Sequence, residues 1–297
     1  MTFYDEIRGR FPQLRLEDAA SLSEYTSFRI GGPAPMAFPS SCEELDALYG
    51  FCLSRGVEPL ILGAGTNILA PDGGLDRLVI CTRELTGLRD LGNGEIEAEC
   101  GVLLSRLACF ARDLGLTGLE FAHGIPGTVG GGVYMNAGAY GGEMCQVARH
   151  TTALCPDGSI WEVRDREHCF GYRRSIFETR QAVILKTVYR LAPGDREDIS
   201  LRMRELARKR RESQPLELPS AGSTFKRPEG AYAAALIDQA GLKGKGVGGA
   251  AVSEKHAGFV VNLGGATACD VLATMDLIQQ TVFNNTGIRL EPEVRIW

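Results

Sequence analysis

The sequence predicts an α+β fold divided into more than one compact unit, and three observations carry that reading. Helical and strand spacings alternate through the first half of the chain. Short apolar runs between tight turns, which read as antiparallel strands, fill residues 151–191, and a charged helix followed by a long one-faced helix occupies the last third. At 297 residues the chain can bury a full core and divides into two or three units rather than one.

Each element has a local reason. Leu45, Leu48 and Cys52 recur at helical spacing over 42–55 until Gly56, and the apolar run Pro59 to Leu62 follows as a strand. The turn Pro71-Asp72-Gly73-Gly74 leads into a strand over Leu78-Val79-Ile80. Ile96, Ala98 and Cys100 alternate as in a half-buried strand before a helix over 103–114. Ile160-Trp161-Glu162-Val163 and Ala182-Val183-Ile184-Leu185 are strand-length runs, and Pro156-Asp157-Gly158 turns the chain between strands. Pro193-Gly194-Asp195 marks a boundary ahead of a charged helix over 199–213. Thr267 then opens a helix whose Val271, Met275, Ile278 and Val282 keep one face apolar until Gly287.

Composition excludes several classes. A net charge of −5 gives no global reason to seek nucleic acid, and 44% hydrophobic with 23% charged residues is ordinary for a soluble protein. In the basic run 208–211, four adjacent charges must point around a helix, which makes a solvated face. The start of the chain is charged where a signal peptide is apolar, and no window holds about 18 uninterrupted apolar residues. Nine scattered cysteines without a CxxC pair read as reduced thiols. These features place the protein in the cytoplasm, with no membrane insertion. Four histidines without HxH or HxxxH spacing give no metal site.

Chemistry concentrates in two glycine loops. Leu60-Ile61-Leu62 runs into Gly63-Ala64-Gly65-Thr66-Asn67-Ile68, which departs from the Rossmann fingerprint where Ile68 replaces the third glycine. The second loop is Gly124-Ile125-Pro126-Gly127-Thr128-Val129-Gly130-Gly131-Gly132, continuing through Asn136-Ala137-Gly138-Ala139-Tyr140-Gly141. Glycine density without low complexity lets main-chain N–H groups approach an anionic ligand, and two such loops can wrap the phosphates of a dinucleotide.

The two loops resemble the pyrophosphate loops of FAD enzymes of the vanillyl-alcohol oxidase type. Together with Gly171-Tyr172-Arg173-Arg174-Ser175-Ile176-Phe177, Ala221-Gly222-Ser223-Thr224-Phe225-Lys226-Arg227-Pro228 and Leu290-Glu291-Pro292-Glu293-Val294-Arg295, the chain resembles the UDP-N-acetylenolpyruvoylglucosamine reductase family from about Thr26 onward. The resemblance implies a two-part FAD-binding α+β fold over 1–82 and 83–195, and an α+β substrate domain over 196–297 whose end returns to the active site.

It further implies non-covalent FAD held by Gly63, Ala64, Gly65, Thr66, Asn67, Ile68, Gly124, Ile125, Pro126, Gly127, Thr128, Gly130, Gly131, Asn136, Gly138 and Ala139. NADPH is the implied co-substrate. The reaction would carry a hydride to the enolpyruvyl methylene of UDP-N-acetylglucosamine enolpyruvate, giving UDP-N-acetylmuramate for peptidoglycan synthesis. Hydride addition pushes negative charge toward the carboxylate-bearing carbon, so the site needs a cation and a proton donor. By the resemblance Arg173 binds the carboxylate and stabilises that charge, a protonated Glu293 partners it, and Ser223 delivers the proton. Tyr172, Lys226 and Arg295 join Arg173 and Ser223 in binding substrate, and the protein is expected to be a monomer.

Judged singly, Ser223 reads as a turn cap, Arg173 as a surface cation and Glu293 as a loop acid. The chain departs from the family pattern at Ala235, where a lysine is common, and at Ala251, where a glutamine is common. The short interval between Tyr172 and Ser223 resembles the form without a tyrosine-bearing lid. Two alternatives stay open: a flavin oxidase of the same fold acting on a hydroxy acid or sugar, and a non-catalytic flavin or nucleotide-sugar binding module. Covalent attachment of flavin through a histidine near the first loop finds no histidine before His123.

Overall fold

The computed structural model describes residues 2–297. They pack as two compact units, one of Met1–Asp18, Pro35–Ala64 and Arg77–Arg208, the other of Ala19–Ala34, Gly65–Asp76 and Lys209–Trp297. Each has its own hydrophobic core.

Two sheets build the first unit. Met36-Ala37 of the strand Pro33–Phe38 runs parallel to Val79–Cys81, which runs parallel to Leu60–Leu62, with Leu60 opposite Val79 and Leu62 opposite Cys81. The helix Cys42–Ser54 starts at Ser41, whose hydroxyl accepts from Glu44 N–H at 3.1 Å, and buries Leu45, Leu48 and Cys52 as their spacing predicts. The second sheet is antiparallel, in the order Ile160–Arg164, Ala148–Leu154, Val183–Arg190, Glu95–Glu99, Leu88–Gly92. Its central strand buries Val183, Ile184, Leu185, Thr187 and Tyr189. Burial is continuous over 183–185 and alternates from Leu185 to Arg190, as in a strand with one face in the core.

Asp195 begins the charged helix, its carboxylate accepting from the N–H groups of Glu197 and Asp198 at 2.8 and 3.0 Å. This helix, Arg196–Ser213, sends Ile199 and Met203 into the first core, and the two compact units part inside it, between Arg208 and Lys209. Arg208, Lys209 and Arg211 are exposed, which is the solvated face expected of the basic run.

In the second unit the antiparallel strands Gly246–Val247, Ala250–Val252 and Val260–Asn262 pack with the helix Ala268–Thr286. Thr267 and Asp270 form a reciprocal capping box, and Gly287 ends the helix in the left-handed region at φ 73°. Val271, Met275, Ile278 and Val282 are all buried. The chain end, Arg295–Ile296, pairs in parallel with Ile68–Leu69, directly after the first glycine loop.

Candidate active site

The first loop leaves the parallel sheet at Leu62, and the two units divide it between Ala64 and Gly65. In the first unit, Arg83 donates from Nε to Gly63 O at 3.2 Å and from Nη2 to Ala64 O at 2.8 Å, fixing the turn from behind. In the second unit, Gly65 has φ 66°, its carbonyl accepts from Ser27 N–H at 3.0 Å, and a Cβ there would collide with the Tyr25 carbonyl. Only glycine satisfies both the angle and the space. Asn67 donates to Glu293 O at 3.1 Å and accepts at its own carbonyl from Arg295 N–H at 2.9 Å, which binds the loop to the C-terminal segment.

The second loop follows the 3₁₀ helix Glu120–Gly124 through half-buried Ile125 and exposed Pro126. Gly127 O accepts from Leu104 N–H, and the N–H groups of Val129 and Gly130 turn inward to Val102 O and Cys100 O, both at 2.8 Å. Gly132 N–H closes the first turn of the helix Val129–Tyr134 on Thr128 O. Fewer of these amides therefore face a ligand than glycine density alone predicts. What the loop presents instead is exposed Gly131 and the Thr128 hydroxyl. Thr128 is 1% exposed, yet among the described residues its Oγ1 has no hydrogen-bond partner. A Cβ on Gly63 would stand 2.5 Å from that oxygen, so the two loops of this unit meet with no room for a side chain between them.

A buried hydroxyl without a protein partner costs about 1–3 kcal/mol. Placed between two glycine loops, it fits a polar ligand group such as a phosphate or ribose oxygen of FAD, and the glycines leave the close approach such a group requires.

The segment continues into a hairpin in which Gly138–Ala139 pairs with Gly142–Glu143 across left-handed Tyr140 and Gly141. Asn136, 2% exposed, is the anchor of this region: Oδ1 accepts from Cys145 N–H at 2.9 Å, and Nδ2 donates to Glu143 Oε2 at 3.1 Å and to Gly171 O at 3.0 Å. Gly171 opens the turn that carries Arg173. Gly171 and Arg174 exchange main-chain hydrogen bonds of 3.0 and 3.3 Å, and Arg173, half-buried, takes φ 54°. Its guanidinium lies 5.2 Å from the ring centroid of exposed Tyr172 and donates to Gly138 O at 3.5 Å.

In the second unit Ser223 and Glu293 come together. Phe225 bridges Pro292, Glu293 N–H donates to Thr224 O at 2.8 Å, and Lys226 N–H donates to Glu291 O at 2.8 Å, so Ser223 to Lys226 runs antiparallel to Glu291 to Glu293. Buried Thr224 locks this ribbon, its hydroxyl accepting from Val260 N–H at 2.9 Å. Ser223 is exposed and caps no turn: among the described residues its hydroxyl bonds no protein group. Lys226 and Glu291 form a 3.5 Å ion pair at the surface, worth little by itself.

The histidines divide differently. Burial lowers the pKa of His123, His168 and His256. His168 bonds Asp165 O and the Thr151 hydroxyl, and His256 accepts from Gly258 N–H, whereas among the described residues His123 Nδ1 is buried without a partner just before the second loop. Among the described residues no cluster of three or more metal-ligating side chains forms, and no helix is long and apolar enough to cross a membrane. The structure adds Arg83, Glu143 and Ser175 to the residues that shape the site. None has a sequence signal: Arg83 and Ser175 act on main-chain atoms distant in the chain, and Glu143 on the side-chain amide of Asn136.

Comparison with known proteins follows the same division. Residues 214–297 match the family description "UDP-N-acetylenolpyruvoylglucosamine reductase, C-terminal domain", and residues 33–164 match "FAD binding domain". A UDP-N-acetylenolpyruvoylglucosamine reductase of Syntrophomonas wolfei is 42% identical over 294 residues, 99% of this chain and 98% of that one. One from Clostridium novyi is 45% identical over 93% of this chain and 90% of its own. The crystal structure of the reductase from Thermus caldophilus superposes with a TM-score of 0.83 at 35% identity, covering 96% of this chain and 99% of that one. An alkyldihydroxyacetonephosphate synthase, at 17% identity and a TM-score of 0.50 over 64% of this chain and 40% of its own, shares the fold alone.

Proposed function

The chain belongs to the UDP-N-acetylenolpyruvoylglucosamine reductase family, and from that premise we propose that it uses FAD and NADPH to reduce UDP-N-acetylglucosamine enolpyruvate to UDP-N-acetylmuramate for peptidoglycan synthesis. The observation that carries the reading is the ribbon pairing Ser223 to Lys226 with Glu291 to Glu293, because it gives a proton donor and an acid a common, rigid support.

Gly63, Ala64, Gly65, Thr66, Asn67 and Ile68 from the first loop, and Gly124 to Thr128, Gly130, Gly131, Gly138 and Ala139 from the second, would hold the cofactor, whereas Asn136, expected among them, has its side-chain amide engaged by Gly171 O, Glu143 Oε2 and Cys145 N–H. The Thr128 hydroxyl supports this assignment. Bound there, FAD would supply hydride transfer between NADPH and the enolpyruvyl double bond. Arg173 binds the substrate carboxylate by charge-assisted hydrogen bonds and draws off the negative charge that develops there. Glu293 partners that charge, and Ser223 gives its proton to the carboxylate-bearing carbon. Freedom of the Ser223 hydroxyl from protein partners supports this role, since no hydrogen bond need break. Tyr172, Lys226 and Arg295 complete the substrate contacts.

We also place the protein in the cytoplasm, which nine free thiols support, and propose that it is a monomer. The three-part organisation at residues 82 and 195 belongs to the same proposal; the two sheets of the first unit fall on either side of residue 82.

Stopped-flow kinetics of Ser223→Ala tests the roles. Flavin reduction by NADPH should stay near the wild-type rate, while reoxidation by the enolpyruvyl substrate falls by about 10²–10⁴, the range of a lost general acid. Equal losses in both half-reactions would remove Ser223 from proton delivery. Glu293→Gln should likewise slow mainly the second half-reaction.

A further inference from the structure

We propose that Asn136 is a positioning residue that holds Arg173 in its working conformation, with Ser175 as its second tether. This rests on the reading of Arg173 as the carboxylate-binding cation. Arg173 occupies the left-handed region, at φ 54°, which residues other than glycine rarely adopt. Such a conformation persists only where the surroundings over-determine it. The two main-chain bonds between Gly171 and Arg174 define the turn but not where it sits.

Placement comes from residues 134–145. Asn136 Nδ2 grips the Gly171 carbonyl at the head of the turn, and Ser175, 3% exposed, donates to Tyr134 O at 2.7 Å just past its end. The Arg173 guanidinium also donates to Gly138 O at 3.5 Å, which ties it to the same segment. Asn136 is suited to the task because both amide donors and its carbonyl are engaged, to Gly171 O, Glu143 Oε2 and Cys145 N–H. An aspartate there would lose both donors and set a carboxylate against that of Glu143. Asn136 also lies two residues beyond the helix that begins at Thr128, so one short segment carries the loop hydroxyl at one end and the arginine anchor at the other.

The test is a double-mutant cycle on the FAD-loaded enzyme, read in the two half-reactions. Arg173→Ala should slow reoxidation by substrate at least 100-fold, and Asn136→Ala should slow it about 10-fold, as expected for a misplaced binding group. The double variant should be no slower than Arg173→Ala, because Asn136 acts only through the arginine. NADPH reduction and FAD content should stay within about twofold of wild type. Normal reoxidation in Asn136→Ala beside slow Arg173→Ala overturns the positioning role alone, as does a double variant that falls by the product of both losses. FAD loss with normal reoxidation of the loaded fraction overturns it in favour of a cofactor contact. Normal reoxidation in Arg173→Ala removes the reading of the arginine and this proposal with it. If Asn136→Ala does not fold, Ser175→Ala carries the same test: a severalfold loss confined to reoxidation supports the tether, and no loss overturns it.

Discussion

Two buried hydroxyls separate ligand binding from stability at the level of single residues. Thr128 Oγ1 has no protein partner among the described residues, so Thr128→Val removes no hydrogen bond that folding uses there. The variant should bind FAD about 10-fold more weakly while the apoprotein melts at or above the wild-type temperature; titration with FAD and apoprotein melting together check this. A drop in apoprotein stability with unchanged FAD affinity would make the hydroxyl structural. Tyr189 is fully buried in the first core, its hydroxyl near Thr187 but without a well-formed hydrogen bond among the described residues, and nothing places it at the glycine loops. Tyr189→Phe should therefore leave denaturant stability unchanged or raise it by up to about 1 kcal/mol. Loss of more than that would reveal a partner for the hydroxyl.

At the element scale, the segment Asp165–His168 couples buried polarity to pH. His168 Nδ1–H donates to Asp165 O at 2.9 Å, leaving Nε2 to accept from the Thr151 hydroxyl at 2.9 Å, and Thr187 donates to Thr151 in turn. The ring stacks on Phe170 at 4.9 Å. Burial lowers its pKa below the ordinary 6.5, so the folded state favours the neutral ring. The stability contribution is complete above pH 6.5 and is lost as pH falls from there toward the depressed folded value, because the unfolded chain binds the proton first. His123 and His256 shift in the same direction and add to the slope. Melting temperature should fall between pH 7.5 and 5.5, and His168→Gln should be less stable at pH 7.5 but show a shallower fall. An unchanged slope in that variant would contradict the assignment. In the helix Ala268–Thr286, Thr267→Ala removes the capping box and should cost about 1 kcal/mol in denaturant unfolding; no change would mean that the Asp72 carboxylate, which accepts from Ala268 and Cys269 N–H, suffices as a cap.

For the whole molecule, elements with strong periodicity were legible in the sequence, whereas the partition between units was not. Helical spacing located Cys42–Ser54 and Ala268–Thr286 to within a residue or so, because one buried face and a cap decide each. The division inside Arg196–Ser213 was hidden, since Ile199 and Met203 look like any buried residues of an amphipathic helix. Likewise the glycine loops announced a ligand, but the inward turn of Val129 and Gly130 N–H and the grip of Arg83 depend on contacts far apart in sequence. Ser223 and Glu293 are 70 positions apart, and only the family resemblance, not spacing, singled them out before their ribbon was seen.

The central claim, that one flavin passes a hydride from NADPH to an enolpyruvyl nucleotide sugar, is open to one anaerobic measurement. The purified yellow holoprotein is bleached with NADPH and mixed with UDP-N-acetylglucosamine enolpyruvate while flavin absorbance is followed. Rapid return of the oxidised spectrum, with UDP-N-acetylmuramate formed in equal amount, is the predicted result. A flavin that stays reduced until air is admitted, or a protein that holds no flavin, would contradict the account.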